Sequence, residues 1–157
     1  MVVEAATSEA DWADAARLVR AYLTTLPFEV DFQADVAHEL RDLATVYGPP
    51  GGVLFLGRDA AGRTVGVVGV KRFDEHDAEL KRMYLEPAAR GTGLGRALAD
   101  TAIAAARSLG YRRLLLDTVS RLAAAVALYQ SLGFVEIDAY RHNPLEDARY
   151  FALDLRG

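Results

Sequence analysis

The segment Arg90-Gly91-Thr92-Gly93-Leu94-Gly95-Arg96 sets three alternating glycines between two strong secondary-structure patterns, and few folds accommodate that arrangement. Ahead of it, Leu80-Lys81-Arg82-Met83-Tyr84-Leu85 reads as a strand closed by Glu86-Pro87. Behind it, the alanine-rich run from Ala97 to Ala106 is a strong helix former. A strand, a glycine turn and a helix N-terminus together make an anion site. Glycine lets a guest approach the backbone, and the unpaired first-turn N–H groups point outward with the positive end of the helix dipole behind them. The guest this predicts is a phosphate or pyrophosphate, with Arg90 and Arg96 at the two ends of the loop as side-chain partners.

Spacing separates the familiar glycine loops. A dinucleotide turn needs G-x-G-x-x-G, and neither Gly91-x-Gly93 nor Gly93-x-Gly95 supplies the third glycine. A P-loop needs Lys-Ser or Lys-Thr after its last glycine, where this chain has Arg96-Ala97. The pattern present is Arg-x-x-Gly-x-Gly, which resembles the pyrophosphate loop of the GNAT superfamily of acyl-CoA N-acyltransferases. The resemblance extends along the chain. Ala78 to Leu85 resembles that family's strand before the loop, and Leu114-Leu115-Leu116-Asp117-Thr118 its next strand. Ala125 to Phe134 resembles its late helix and turn. His142-Asn143-Pro144 with Tyr150-Phe151-Ala152-Leu153 is similar to the tail of a bacterial-type branch.

The periodicities give the order βααβββαβαββ, an α/β arrangement on one mixed central sheet flanked by helices. Val2 to Ala5 is a short strand. Ser8 with Asp11 forms a capping box for a helix striped by Trp12, Ala15, Val19, Tyr22, Leu23 and Leu26, which Pro27 stops. Phe32, Val36, Leu40 and Leu43 mark a second helix. Val53 to Leu56 and Thr64 to Val70 read as a hairpin around Asp59-Ala60-Ala61-Gly62. The helix after the loop places Leu94, Leu98, Thr101, Ala102, Ala105 and Leu109 on one face, with Gly110 beyond its end. Leu114 to Leu116 is a buried central strand. Leu122, Ala125, Val126, Tyr129 and Leu132 stripe the next helix. Phe134 to Ile137 and Tyr150 to Leu155 are the closing strands.

Length and composition narrow the classes further. The 157 residues suit one domain, here residues 1–157 as a single N-acetyltransferase domain. The chain is 52% hydrophobic and 25% charged, as expected of a globular protein. No apolar run approaches the ~18 residues of a membrane span, and a cytoplasmic location is the simplest expectation. The sequence has no cysteine, so no thiol can act as nucleophile or metal ligand. His38, His76 and His142 lack metal-ligand spacing, and no metal is expected. A net charge of −4 argues against nucleic acid as a partner. An exposed strand edge would admit a homodimer.

The resemblance implies acetyl-CoA as co-substrate and acetyl transfer to a primary amine; a compact chain without a basic tract or amphipathic membrane helix favours a small-molecule acceptor over a polymer or membrane. Without cysteine, direct attack in a ternary complex is favoured over a thiol-bound intermediate. The loop from Arg90 through Gly91, Thr92, Gly93, Leu94 and Gly95 to Arg96 would hold the phosphates. Main-chain groups of Met83, Tyr84 and Leu85 would pair with the pantetheine arm, one N–H near Leu85 serving as oxyanion donor. The resemblance also implies Tyr129 as general acid toward the thiolate and Glu79, or a water chain, as general base. Asp117, after a buried strand, either caps the next turn or points into the acceptor pocket, the structural role being favoured, and Asn143 before Pro144 reads as a turn former. Leu122 stands where many relatives carry a polar contact to CoA. Acceptor recognition is expected around Leu26 to Gln33 and Asp138 to Asp147, with Phe28, Phe32 and Gln33 as candidate walls. A non-catalytic acyl-CoA sensor, an unrelated nucleotide-phosphate binder and a protein lysine or N-terminal acetyltransferase are the rival readings.

Overall fold

The computed structural model describes residues 1–26 and 33–156, with only the backbone described for residues 33–36. β1 (Val2–Ala5) leads into α1 (Glu9–Thr25), whose capping box forms as predicted. The Asp11 amide donates to Ser8 Oγ at 3.1 Å and the Ser8 amide returns to Asp11 Oδ2 at 3.1 Å, satisfying two otherwise orphaned donors. Ala15, Leu18 and Val19 are the buried residues of α1, so the core-facing stripe is narrower than the sequence reading and includes Leu18.

The predicted second helix is two helices. α2 (Gln33–Arg41) ends before Asp42, whose φ of −144° leaves the helical region, and α3 (Leu43–Val46) restarts beyond it. Leu43 is buried, but from the short helix. The element order therefore carries one helix more than predicted.

β2 (Val53–Arg58), β3 (Thr64–Arg72) and β4 (Asp77–Leu85) follow as an antiparallel meander. A 3₁₀ turn (Pro87–Ala89) and the glycine loop then enter α4 (Leu94–Ser108). β5 (Arg113–Val119), α5 (Ala123–Ser131), β6 (Val135–Ile137) and β7 (Ala148–Asp154) complete the chain. The seven strands lie in the order β1-β2-β3-β4-β5-β7-β6, antiparallel except where β4 runs beside β5. The sheet is mixed and flanked by helices, as the sequence predicted.

One face packs on α4 and α5 through Val68, Leu80, Leu98, Ala102, Leu116 and Tyr129. The other packs on α1 and α3 through Leu18, Leu43, Tyr47, Leu56, Val67 and Tyr84. Leu109, predicted for the buried stripe of α4, is 42% exposed. The helix ends there, and Gly110 takes the left-handed φ of +89° that reverses the chain. Ala99, Ile103 and Ala106 fill the core face instead.

Two features of β4 open the sheet. Val67 pairs with Tyr84 and Gly69 with Lys81, so β4 has one more residue than β3 between these pairs. That bulge holds Arg82 at φ +58°, a conformation uncommon outside glycine and one that turns the strand. On its other side, β4 pairs with β5 only from Asp77↔Arg113 to Glu79↔Leu115. Beyond that point β5 continues beside β7 while β4 leaves it.

Candidate active site

A cavity of ≈ 910 Å³ occupies the gap between the parted strands, within the size range of small-molecule and cofactor sites. Residues 80–85 of β4 form one wall and residues 116–119 of β5 the other. The glycine loop closes one end. Leu122, Leu128 and Tyr129 cover the α5 side, and Tyr22, Leu23, Leu26, Asn143 and Leu145 the opposite side.

Gly91 and Gly93 adopt φ of +77° and +90°, and both line the cavity with Gly95. Gly93 is the N-cap of α4 and offers no side-chain acceptor to the first-turn amides, leaving that helix end open to an anion. Thr92 and Leu94, also predicted to bind, do not line the cavity. The Thr92 hydroxyl donates to Ala89 O at 2.6 Å and folds the loop, while Leu94 is buried with its side chain against Gly57. Their side chains shape the turn. Arg90 and Arg96 both line the cavity. Arg90 Nε donates to Leu85 O at 3.3 Å, and Arg96 Nη1 to Ser131 Oγ at 3.4 Å.

The β4 edge offers main-chain groups. The Glu86 amide donates to Val65 O at 2.8 Å, toward β3. Alternation along a strand then turns the Leu85 N–H the other way, toward the space that β5 has left. Met83, Tyr84 and Leu85 all line the cavity.

Tyr129 enters from α5, its ring 5.8 Å from that of Phe134. Its hydroxyl makes no hydrogen bond among the described residues. Burial pushes the phenol above its ordinary range, and the nearby Tyr22 phenol adds to the shift, so Tyr129 is a neutral donor throughout ordinary pH. Tyr129 thus lines the same cavity as the uncapped N-terminus of α4.

The sequence pattern of the acetyltransferase (GNAT) family matches residues 13–134. The chain belongs to this family. An uncharacterised N-acetyltransferase of Schizosaccharomyces pombe is 37% identical over 146 residues, spanning 92% of this chain and 89% of that protein. The uncharacterised N-acetyltransferase YjgM of Escherichia coli is 38% identical over 63% of this chain and 60% of its own length. The fold is also that of yncA of Salmonella typhimurium, solved with its cofactor acetyl-CoA: TM-score 0.75 and 20% identity, covering 100% of this chain and 95% of that one.

Glu79, the candidate base of the sequence reading, sits at the last paired position of β4 and β5. It is 1% exposed, does not line the cavity, and is held by Arg141 and by the Tyr140 hydroxyl at 3.0 Å. Arg141 Nε is itself buried without a hydrogen-bond partner among the described residues. A carboxylate so engaged neutralises Arg141 and anchors the C-terminal loop to the sheet. Asp117, for which the sequence offered a turn cap or the acceptor pocket, lines the cavity and accepts from Asn143 Nδ2 at 3.3 Å. Asn143 lines it too, while its Oδ1 accepts from the Leu145 amide at 3.0 Å, so it serves both turn and site. Leu122 is an apolar lining residue at the start of α5. Phe28 and Phe32 lie outside the described residues, as does the side chain of Gln33.

The sequence reading missed Tyr22 as a site residue, and also Lys81 and Arg82. Arg82 Nε donates to buried Glu39 Oε2 at 2.7 Å, and Tyr47 donates to Glu39 Oε1 at 3.2 Å, tying α2 and α3 to the bulge. Charged residues inside an otherwise apolar strand were the available signal for Lys81 and Arg82.

Proposed function

We propose that this protein transfers the acetyl group of acetyl-CoA to the primary amine of a small molecule, within a ternary complex. The observation that carries the reading is the uncommitted Tyr129 hydroxyl in a cavity that joins an open helix N-terminus to an unpaired strand edge. The residues present fit CoA. Gly91, Gly93 and Gly95, with Arg90 and Arg96, form a cationic, backbone-lined cradle for its pyrophosphate. The main-chain groups of Met83 and the Leu85 N–H would pair with the amides of its pantetheine arm. The bound thioester supplies an activated acetyl group.

The chain's own groups then divide the work. The Leu85 N–H, turned toward the open side of β4, is the donor available to a developing oxyanion. Asp117 draws in the acceptor's ammonium, whose proton leaves to water before the nitrogen forms its bond to the acetyl carbon. As the carbon–sulfur bond breaks, Tyr129 gives a proton to the thiolate, and the second proton lost by the acylated nitrogen returns through water to the Tyr129 oxygen. No cysteine exists to form a thiol-bound intermediate, so the acetyl group moves directly.

Thiol release from acetyl-CoA, measured across free amines, amino acids, polyamines and lysine side chains of folded proteins, tests the reading. Amine-dependent release with higher kcat/KM for free amines is expected. CoA binding without release on any amine would indicate a sensor, and a clear preference for folded proteins would replace the small-molecule acceptor.

A further inference from the structure

The last parallel pair of β4 and β5 is Glu79↔Leu115. Two residues further along each strand stand Lys81 and Asp117. By strand alternation they lie on the same sheet face as that pair, the face opposite α4 and α5. Had the strands stayed together, these two side chains would have met as neighbours. The strands part instead, both residues line the cavity, and no ion pair joins them.

The charged neighbours of Lys81 along β4 are each neutralised by a close partner: Arg82 by Glu39, and Glu79 by Arg141. Among the described residues, Asp117 receives only the neutral amide of Asn143. Lys81 has no hydrogen bond or ion pair among the described residues. Two half-buried charges of opposite sign, held apart across a cavity, leave a gap that suits a ligand carrying both signs.

Resting on the acetyl-transfer reading, we propose that the acceptor is a free amino acid, with Lys81 holding its carboxylate and Asp117 its ammonium. The reacting nitrogen then lies at β5, while the carboxylate is drawn to β4. Tyr22, Leu23 and Leu26 supply a largely apolar flank from α1 for the acceptor's side chain. Burial lowers the Lys81 ammonium's pKa, and the Glu79 and Asp117 carboxylates act against that fall, so the Asp117 charge is felt at Lys81 without contact. Filling the gap with a zwitterion would satisfy both groups at once.

The test is calorimetry on the CoA-loaded protein with matched probes: leucine against leucinamide, methionine against methioninamide, and phenylalanine against phenethylamine. Each amino acid is expected to bind about 10- to 100-fold more tightly than its partner, the effect of one charge-assisted contact. Lys81→Met should collapse that ratio to within about 3-fold, Lys81→Arg should keep part of it, and CoA binding by each variant reports its fold. Equal or tighter binding of the uncharged partners, a ratio that survives Lys81→Met, or no binding of any probe would overturn the proposal. Acid-selective binding without thiol release would instead count against acetyl transfer alone. Thiol release that ignores the carboxylate would count against this assignment alone.

Discussion

Replacing Tyr129 with Phe separates chemistry from packing at one atom. The ring, 6% exposed and in contact with the α4–α5 side of the core, stays in place, and only the hydroxyl is lost. Because that hydroxyl has no partner among the described residues, its removal orphans no buried group. The stability change should therefore lie within about 1 kcal/mol, a shift of about 2–4 °C in Tm for a chain of this size. Loss of a general acid slows the chemical step by about 10²- to 10⁴-fold, which is about 3–5 kcal/mol at 1.36 kcal/mol per decade. Kinetic loss should thus exceed thermodynamic loss several-fold. Single-turnover thiol release makes chemistry limiting, and calorimetry with CoA should give an almost unchanged Kd. Burial raises the phenol's pKa, so the wild-type rate should rise with pH as the amine loses its proton and should not fall through Tyr129 ionisation below about pH 10. A wild-type single-turnover rate in the variant would refute the argument. So would a stability loss of several kcal/mol, because it would make the hydroxyl structural.

Gly93→Val should abolish CoA binding in a protein that still folds, since a Cβ there meets little but forces a branched residue to φ +90° at the helix cap; unchanged CoA affinity by calorimetry would remove the loop from the site. Glu79→Gln should lower stability by about 1–3 kcal/mol in denaturant, discounted for the partly exposed Arg141; full stability with a large fall in kcat would restore Glu79 as the base. Ser8→Ala breaks the capping box and should reduce stability by about 1 kcal/mol with no effect on turnover, read by chemical denaturation and thiol release together. Near-ultraviolet titration should show Tyr47 and Tyr129 still neutral above pH 10, because burial raises both phenols. A group whose folded pKa is raised contributes its full stability below the unfolded value of about 10 and loses it as pH climbs toward the folded value. The two should therefore ionise only as the chain unfolds, and ionisation of all seven tyrosines at pH 10 in the folded protein would contradict this.

The sequence by itself determined what depends on near neighbours. The anion loop was legible because left-handed glycines and an open helix end are local properties, and Gly91 and Gly93 take those conformations. The capping box at Ser8, the hairpin around Asp59 and the stop at Gly110 were legible for the same reason. What the tertiary structure decided depends on strands distant in sequence. No local signal says that β4 bulges at Arg82 or leaves β5 after Glu79, because both follow from pairing with β3 and β5. That parting determines which carboxylate reaches the cavity. Glu79, on the paired side of the fork, is covered and neutralised by Arg141, whereas Asp117, beyond it, is open. Lys81 likewise reads as an ordinary strand charge until the sheet divides. Alternation put Lys81 and Asp117 on one face, and the loss of pairing between their strands left their charges apart.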